Sequence, residues 1–436
     1  MIVQAVEGEF AAAGVARAAS LYPLPCALKL AGSGGCLVVA ADPVRVVRAS
    51  SVDELADAWA EAGARWHAAD HPGVPVGMGW LSYDLGRRFE RVRGPVLPES
   101  PWPEIEFRFY DALVVCHGVT GSTEILACDE AAGRRIAGRL LQSEPLREEA
   151  GALAGEGPLQ EMESPERHLA AVSRALDYIM AGDIYQVNLA RRLGCAFPVR
   201  PGTAPGLSLF AALEAEAPAP FAIWLGDGER GTALVGNSPE RFLSRSVAGQ
   251  VETCPIKGTR PRDLSDPFHR QAAELLASAK DRAEHVMIVD LERNDLGRVC
   301  QTGSVQVLDL CQVLTLPTVH HLVTKVRGQL RPDVGLAELL RATFPGGSVT
   351  GAPKIRAMEI IAELEPARRG PYTGATGWLG AAGDLDLALA IRTALIRDQG
   401  LTLWVGGGIV ADSQPAAELA ETWDKAQAFS RVLGLR

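Results

Sequence analysis

A lysine in an unusual local context is the first residue that could do chemistry. Lys257 lies in residues 252–262, which read ETCPIKGTRPR. Pro255 before it and Gly258 after it are typical turn residues, so the pattern predicts a lysine on a stiff loop. An amine held in a desolvated site has a lowered pKa and can act as a nucleophile. The alternative is an ordinary solvated loop lysine, and this stretch alone does not exclude it.

Acidic residues on two predicted helices could bind a metal ion. Near the C-terminus, Glu418, Glu421 and Lys425 fall within about 60° of one another on a helical wheel. Carboxylates at this spacing suit a hard cation such as Mg²⁺, which prefers oxygen ligands. Asp281 and Glu284 form a matching pair on an earlier helix. Each pair could equally be a solvated face stabilised by ion pairs, and only the fold could bring the pairs together.

Two glycine-rich stretches, predicted to be loops, could bind an anion. Residues 344–354 read FPGGSVTGAPK and precede a predicted helix, with Pro353 near its first position. Three consecutive glycines, residues 406–408, follow a predicted strand over residues 401–405. Glycine lets backbone N–H groups approach a ligand closely, and a helix N-terminus favours an anion. Neither stretch is a Walker A loop or a dinucleotide fingerprint, and an ordinary tight turn is the alternative for both.

Single residues elsewhere have side chains suited to acid–base or anion chemistry. Glu240 follows a predicted strand in NSPERF, where partial burial would raise its pKa and make it a general acid. An ion pair with the neighbouring arginine is the alternative. His321, Arg392 and Tyr372, each taken alone, are more often structural than catalytic. The polar cluster at residues 292–295 is predicted to be a turn.

Composition places the chain among globular proteins. Its 436 residues are 47% hydrophobic and 22% charged, which is enough for one large or two ordinary domains. The net charge of −10 argues against nucleic acid or an anionic membrane as a partner. The eight cysteines show no metal-ligand spacing, and no apolar run reaches membrane-spanning length. These features predict a cytosolic protein with reduced cysteines.

Hydrophobic periodicity predicts helices and strands without regular βαβ alternation. Strands are predicted at residues 36–40, 77–84, 112–116, 185–189, 221–225 and 232–235. Helices are predicted over residues 51–69, 164–182, 266–288 and from 414 onward. On the last helix, the residues predicted to face the core are Leu419, Trp423, Ala426 and Leu433. Residues 143–163, rich in Glu, Gly and Pro, are predicted to link a first region, residues 1–150, to a second, residues 164–436.

Nine stretches of the sequence together resemble one enzyme family. In chain order they read GDIYQVNLARR, GNSPERFL, PIKGTRPR, AEHVMIVDLERNDLGRV, HHLVTKVRG, FPGGSVTGAPKIRAMEII, GPYTGATGW, AIRTALI and GGGIVADSQPAAELAETWDKA. They resemble the chorismate-utilising enzymes, densely over residues 164–436 and more weakly through GWLSYDLGRRFE at residues 79–90. The resemblance implies an α+β fold in which two large antiparallel β-sheets pack as a sandwich with helices outside. The N-terminal region is expected to add strands to that sandwich.

The resemblance also implies a metal site. Mg²⁺ is expected to bind Glu284 and Glu421, with Glu418 and Asp281 close by, and to bridge to the ring carboxylate of chorismate. Lys425 is expected near the metal and that carboxylate. An anionic substrate needs such positive charge in a protein that is acidic overall.

The rest of the implied site holds and activates chorismate. Arg392, Tyr372 and backbone amides around Gly406 and Gly408 are expected to bind the enolpyruvyl carboxylate. The remaining implied site residues are Glu240 as general acid at the C4 hydroxyl, His321 beside the ring, and Ser348 and Thr259 in the substrate site.

Two positions distinguish members of the family. Isochorismate and salicylate synthases carry a water-activating lysine where this chain has Gln186, so ammonia is the expected nucleophile. Anthranilate and isochorismate synthases read PIAGT around the position of Lys257, whereas aminodeoxychorismate synthases read PIKGT, as here. In that subgroup the lysine attacks C2 as the C4 hydroxyl leaves, and ammonia then displaces it by attack at C4. The resemblance thus predicts 4-amino-4-deoxychorismate, the precursor of p-aminobenzoate and folate, as the product.

The expected source of ammonia is a separate glutamine amidotransferase subunit. No cysteine lies in a G-x-C-x-G setting, so the chain shows no glutaminase-like nucleophile elbow. Relatives that bind tryptophan carry an LLES-like stretch where residues 25–30 read PCALKL, and inhibition by tryptophan is not expected. Two alternatives stay open: an anthranilate synthase, and a regulator that binds chorismate or tryptophan without turnover.

Overall fold

Strands and helices both contribute to the structure, a computed structural model. It describes residues 1–6, 12–32, 35–67, 71–95, 97–141, 156–200, 202–262, 270–315 and 319–434. In chain order the strands are β1 (Ile2–Ala5), β2 (Cys26–Lys29), β3 (Leu37–Ala40), β4 (Arg45–Ala49), β5 (Pro75–Leu81), β6 (Ile105–Phe109), β7 (Ala112–Cys116), β8 (Thr123–Ala127), β9 (Glu156–Glu161), β10 (Gln186–Ala196), β11 (Phe221–Asp227), β12 (Thr232–Ser238), β13 (Arg241–Arg245), β14 (Gln250–Thr253), β15 (Ile256–Pro261), β16 (Gln306–Thr315), β17 (Val319–Gln329), β18 (Gly351–Ala352), β19 (Ala375–Gly380), β20 (Leu385–Leu389), β21 (Thr393–Arg397) and β22 (Gly400–Ile409).

The helices lie between these strands in sequence. They are α1 (Ala12–Ala19), α2 (Val52–Trp66), α3 (Gly86–Phe89), α4 (Glu130–Leu140), α5 (Pro165–Met180), α6 (Leu207–Glu216), α7 (Arg270–Ala277), α8 (Ala279–Gly297), α9 (Leu336–Thr343), α10 (Lys354–Leu364) and α11 (Pro415–Val432). No helix in the described part of the chain is long and apolar enough to cross a membrane.

The strands form two large antiparallel sheets. Over the described residues, the first sheet runs β1-β8-β7-β3-β2-β11-β12-β21-β22-β10-β18, with β9 also paired to β10. The second runs β15-β17-β14-β13-β20-β19-β5-β6-β4, with β16 also paired to β17. Strands β1 to β8 are divided between the two sheets. The predicted α+β fold of two large antiparallel sheets is confirmed.

The sheets pack face to face, with helices on their outer faces. In β11, Ile223 belongs to the same buried cluster as Val76 and Met78 of the second sheet. The next residue, Trp224, packs with Leu209 of α6 in a different cluster. Opposite faces for neighbouring residues are what the two-residue repeat of a strand requires. Each large side chain buried in this way stabilises the fold by about 1.5–3 kcal/mol.

Several predicted elements differ from the structure. The helix predicted over residues 266–288 is two helices, α7 and α8, and its first residues lie outside the described part. Ser278 separates them and caps α8, because its Oγ accepts a hydrogen bond from the Asp281 N–H at 3.2 Å. Residues 292–295 are helical, in α8, and not a turn. The predicted linker lies mostly outside the described residues, and its last part is the strand β9.

The core-facing stripe predicted for α11 is also partly wrong. Ala426 and Leu433 are buried, as predicted, but Trp423 is 37% exposed. Its indole ring lies under the Arg191 guanidinium, 5.3 Å from the ring centroid. This cation–π contact offers the indole a polar partner at the surface, so the ring does not need burial in the core.

Candidate active site

Lys257 lies in a strand, not on the predicted loop. It belongs to β15, at the end of the second sheet, and pairs with Leu322 of β17. Gly258 interrupts the register with φ +68°, and a β-carbon there would lie 2.8 Å from Leu275 Cδ1. This glycine therefore forms a bulge, which redirects the neighbouring side chains. Because a bulge and a turn both favour glycine, the local sequence could not distinguish them.

The Lys257 amine faces the end of the first sheet. A β-carbon built on Gly408 of β22 would lie 3.2 Å from Lys257 Nζ and 2.9 Å from Gln186 Nε2. The two side chains therefore meet over a glycine, where a larger residue would displace them. Burial lowers the pKa of Lys257, and the charge of Lys425 adds to this effect, while three surrounding glutamates oppose it. The lysine is thus shifted toward the free amine, the form that acts as a nucleophile.

Glu240 is buried between two hydrogen-bond donors. Ser348 Oγ donates to its Oε1 at 2.8 Å, and the Ile256 N–H donates to the same oxygen at 3.2 Å. Burial raises the pKa of Glu240 to about 7, while the two donors and the charges of Lys257 and Arg392 work in the opposite direction. The carboxyl can therefore hold or release a proton near neutral pH, as a general acid must.

His321 lies opposite Thr259 on the neighbouring strand. Its Nδ1 is 2.9 Å from Thr259 Oγ1. Burial, with a contribution from Arg392, lowers the pKa of His321 to about 4, so the ring is neutral at physiological pH. Its Nε2 is buried and has no hydrogen-bond partner within the described residues. A buried ring nitrogen of this kind is suited to a polar group of a ligand.

Arg392 and Tyr372 lie on two segments that pack together. Tyr372 is buried with Trp404 of β22 and packs against Ile391, the residue before Arg392. The Tyr372 and Trp404 rings stack with centroids 5.8 Å apart. Burial lowers the pKa of Arg392, yet a guanidinium keeps its charge in proteins. Arg392 has φ +50°, a backbone conformation that is uncommon outside glycine and often found at functional sites.

The three glycines predicted to form a loop lie inside β22. Gly406 and Gly408 pair with Ala190 and Asn188 of β10. The pairing of β22 with β21, on its other edge, ends at Leu403. In the described structure that edge of the glycines therefore has no strand partner. Backbone N–H groups along it are available to a ligand, and glycine permits the close approach.

The predicted carboxylates of α8 and α11 lie near one another. Burial raises the pKa of Glu284, and the charges of Asp281 and Glu418 add to this effect. Burial raises the pKa of Glu418 too, and the charge of Glu421 adds to it. These carboxyls therefore lie close enough to interact. Burial also acts to raise the pKa of Glu421, but surrounding lysines, with Lys425 the strongest, hold it below its ordinary value.

The donor chemistry of this group fits a hard divalent cation. Glu284, Glu418 and Glu421 offer only carboxylate oxygens, the ligands that Mg²⁺ prefers. Among the described residues, no three acidic, histidine or cysteine side chains converge as a formed metal site. Lys425 Nζ lies 2.7 Å from Glu421 Oε1 and forms an ion pair with it. Asp281 pairs with Arg260, with Oδ2 and Nη2 2.8 Å apart, and is less available.

Sequence reasoning did not identify Asn188 or Glu292. Asn188 Nδ2 donates to Ser348 O at 2.9 Å, and its Oδ1 lies near Gly408 together with Gln186. The two-residue spacing from Gln186 on one strand is the signal that could have identified it. Glu292 is buried in α8, and its wrong assignment to a turn concealed its position.

Comparison with known proteins identifies the family. Residues 25–431 match the family model described as chorismate binding enzyme. The chain is 40% identical over 370 residues to aminodeoxychorismate synthase component 1 of Escherichia coli (strain K12), covering 84% of this chain and 79% of that protein. It is 39% identical over 373 residues to anthranilate synthase component 1 of Thermus thermophilus, covering 83% and 79%.

A solved structure agrees with the sequence relatives. The crystal structure of anthranilate synthase component I from Streptococcus pneumoniae superimposes with a TM-score of 0.73 and 29% identity, covering 94% of this chain and 90% of that chain. The chain therefore belongs to the chorismate binding enzyme family. It is a chorismate-utilising enzyme, and its relatives are named for two different reactions on that substrate.

Proposed function

We propose that the protein is the synthase component of an aminodeoxychorismate synthase, which converts chorismate and ammonia to 4-amino-4-deoxychorismate. This product serves the synthesis of p-aminobenzoate and folate. The observation that carries the proposal is Lys257, a lysine with a lowered pKa whose amine lies beside Gln186 and Gly408. A charged side chain at this position needs a chemical reason, and nucleophilic catalysis supplies one.

Chorismate would be held by its two carboxylates. Arg392, Tyr372 and the backbone N–H groups of Gly406 and Gly408 would bind the enolpyruvyl carboxylate through charge-assisted hydrogen bonds. Glu284 and Glu421 would hold Mg²⁺, with Glu418 beside them. Magnesium bound there would neutralise the ring carboxylate and orient the ring.

The chemistry would proceed by two displacements. Lys257, as the free amine, forms a bond to C2, the ring double bond shifts, and the C4–O bond breaks. Glu240 donates its proton to the departing hydroxyl, which leaves as water, and the new secondary ammonium returns a proton to Glu240. Ammonia then forms a bond to C4, the double bond shifts back, and Lys257 leaves C2 with a proton from Glu240. The incoming ammonium gives up one proton and restores the acid.

The remaining polar side chains would favour amination over hydration. Gln186 is fully buried, and neither polar atom of its side chain has a hydrogen-bond partner among the described residues. An amide cannot accept a proton at neutral pH, so it cannot activate water as a lysine would. Neutral His321, beside the ring, would offer Nε2 as a hydrogen-bonding group without adding charge. Thr259 would hold its other nitrogen.

A glutamine amidotransferase partner would supply the ammonia. The names of both relatives end in "component 1", which implies a second subunit in those systems. The proposal extends this arrangement to the present chain.

The second candidate is an anthranilate synthase component, favoured by the relative from Thermus thermophilus. The two are separated by incubating the protein with chorismate, MgCl₂ and an ammonium salt. We expect 4-amino-4-deoxychorismate, detected by mass spectrometry. Anthranilate fluorescence without an added lyase would overturn the first proposal. Tight chorismate binding with no turnover would overturn both and indicate a regulator.

A further inference from the structure

A carboxyl without a role in the proposed chemistry lies within electrostatic range of Glu240. Glu292 of α8 is 7% exposed. Its Oε2 accepts a hydrogen bond from Thr253 Oγ1, at the end of β14, at 2.6 Å. Buried glutamates are rare unless they are paired or protonated. Glu292 therefore needs an explanation that the substrate-contacting residues do not give.

Burial, together with nearby like charges, favours the neutral form of Glu292. Burial, with the like charges of Glu240 and Asp295, raises its pKa to about 8, while the Thr253 bond and Lys354 act in the opposite direction. Lys354, whose charge acts on Glu292, is committed elsewhere, because its Nζ donates to Asp295 Oδ2 at 2.5 Å and to Thr343 O at 3.2 Å. At neutral pH, Glu292 is thus a hydrogen-bonded carboxylic acid.

Two chain segments each lie close to both glutamates. Thr253 binds Glu292, and the N–H of Ile256, in the same connection, binds Glu240. Gly347 lies against α8, since a β-carbon on Gly347 would be 2.7 Å from Leu291 Cδ2 and 3.7 Å from Glu292 Cγ. The next residue, Ser348, donates to Glu240. The Ile256 donor is therefore close in sequence to Thr253, which the Glu292 carboxyl binds. The Ser348 donor follows Gly347, which packs against Leu291 and the Glu292 side chain.

We propose that Glu292 is a positioning residue for Glu240: its side chain fixes the two segments that donate hydrogen bonds to the general acid. The inference rests on the proposed role of Glu240. Without Glu292, these segments would lose their fixed contact, and the Ser348 and Ile256 donors would bind Glu240 less well. Because those bonds favour the ionised form of Glu240, their loss raises its pKa.

The test compares Glu292→Ala and Glu292→Gln with the control Asp290→Asn, an exposed position on the same helix. Chorismate consumption is measured against pH, so that the result does not depend on which amino product forms. We expect Glu292→Ala to lower kcat about 10-fold or more with KM changed less than about 2-fold. In the pH profile of the rate, the fall at high pH that is assigned to Glu240 should move to higher pH. Lys257 and Arg392, whose charges also act on Glu240, are unchanged in this variant.

The amide variant and a second site keep the test decisive. Glu292→Gln, a neutral isostere, should keep kcat within about 3-fold of the wild type. Its rate should fall at the same pH as that of the wild type. Thr253→Val should reproduce the Glu292→Ala profile if the alanine variant does not fold. Equal damage from Gln and Ala, or an Ala variant that matches Asp290→Asn, would overturn the inference. If the rate of Glu240→Gln still falls at high pH as that of the wild type does, the acid role of Glu240 would instead be refuted.

Discussion

At the scale of single residues, the perturbed pKa of Glu240 gives a prediction for activity. A general acid must be protonated to donate, so the rate should fall as the pH rises through about 7. We expect Glu240→Gln to lower kcat by about 10²–10⁴-fold and to remove this fall in rate at high pH. Steady-state kinetics across pH measure both effects. Glu229→Gln, at an exposed turn, is the matched control. A fall in rate at high pH that persists in Glu240→Gln would contradict the prediction.

The same pKa has a consequence for stability. Because the carboxyl holds its proton more tightly in the folded chain than in the unfolded one, stability falls as the pH rises from about 4.5 to about 7. Replacement by Gln removes this loss, which is at most about 3 kcal/mol. Urea unfolding of Glu240→Gln and the wild type at pH 5 and pH 8 should therefore show the variant gaining relative stability at pH 8.

Several site residues could be predicted from their motifs, while their environments could not. Lys257 stands out by its sequence, but its neighbours indicated a loop. The lysine lies in a strand because β15 pairs with β17, a contact between distant segments that local sequence does not encode. Glu292 was predicted to be in a turn because its polar neighbours look solvated. Its burial depends on Thr253, on a strand about 40 residues earlier in the chain.

At the scale of elements, the glycine strand β22 sets the space around the amine. A β-carbon on Gly408 would lie 2.9 Å from Gln186 Nε2 and 3.2 Å from Lys257 Nζ. We expect Gly408→Ala to fold but to lower kcat about 10-fold or more, because small displacements at reacting groups are costly.

Gly138→Ala provides the control for this substitution. A β-carbon there meets nothing within 4 Å, and alanine in α4 should raise the free energy of unfolding by as much as about 1 kcal/mol. Wild-type turnover in a folded Gly408→Ala protein would show that this space is not needed.

The helix α11 carries the proposed metal ligand Glu421. We expect Glu421→Gln to weaken the apparent affinity for magnesium about 10-fold or more, because an amide supplies less charge to a hard cation. Calorimetry with MgCl₂ alone, and activity titrations, measure the change. Asp424→Asn, exposed on the same helix, should leave the titration unchanged. A Glu421→Gln protein with the wild-type magnesium titration would exclude Glu421 as a ligand.

Elements with strong local signals were predictable. The strand Ala112–Cys116 was predicted at its observed bounds, and α11 begins at Pro415, one residue after its predicted start. In both, an apolar pattern and an end signal agree. The three glycines of β22 were predicted to be a loop because glycine weakens a strand locally. Their strand pairing comes from β10, across the sheet, and a glycine signal alone cannot show a partner that is more than 200 residues away.

At the scale of the whole molecule, the site forms where the ends of the two sheets approach. Lys257 and His321 come from the second sheet, while Gln186 and Gly408 come from the first. A buried arginine helps to hold the sheets together, since Arg108 of the second sheet donates to Gly226 O of the first at 2.7 Å. The resemblance predicted this sandwich, but periodicity gave only its strands and helices. Which strands are adjacent is set by packing across the whole chain.

The central claim is that Lys257 forms a covalent bond to the ring. The most direct measurement is intact-protein mass spectrometry after incubation with chorismate and MgCl₂ in the absence of ammonia, followed by peptide mapping. We expect an adduct on Lys257 with the mass of chorismate less one water. Lys257→Ala should form no adduct and lose activity about 10²-fold or more, whereas Lys325→Ala, in β17, should behave as the wild type. No adduct, together with near wild-type activity in Lys257→Ala, would contradict the account.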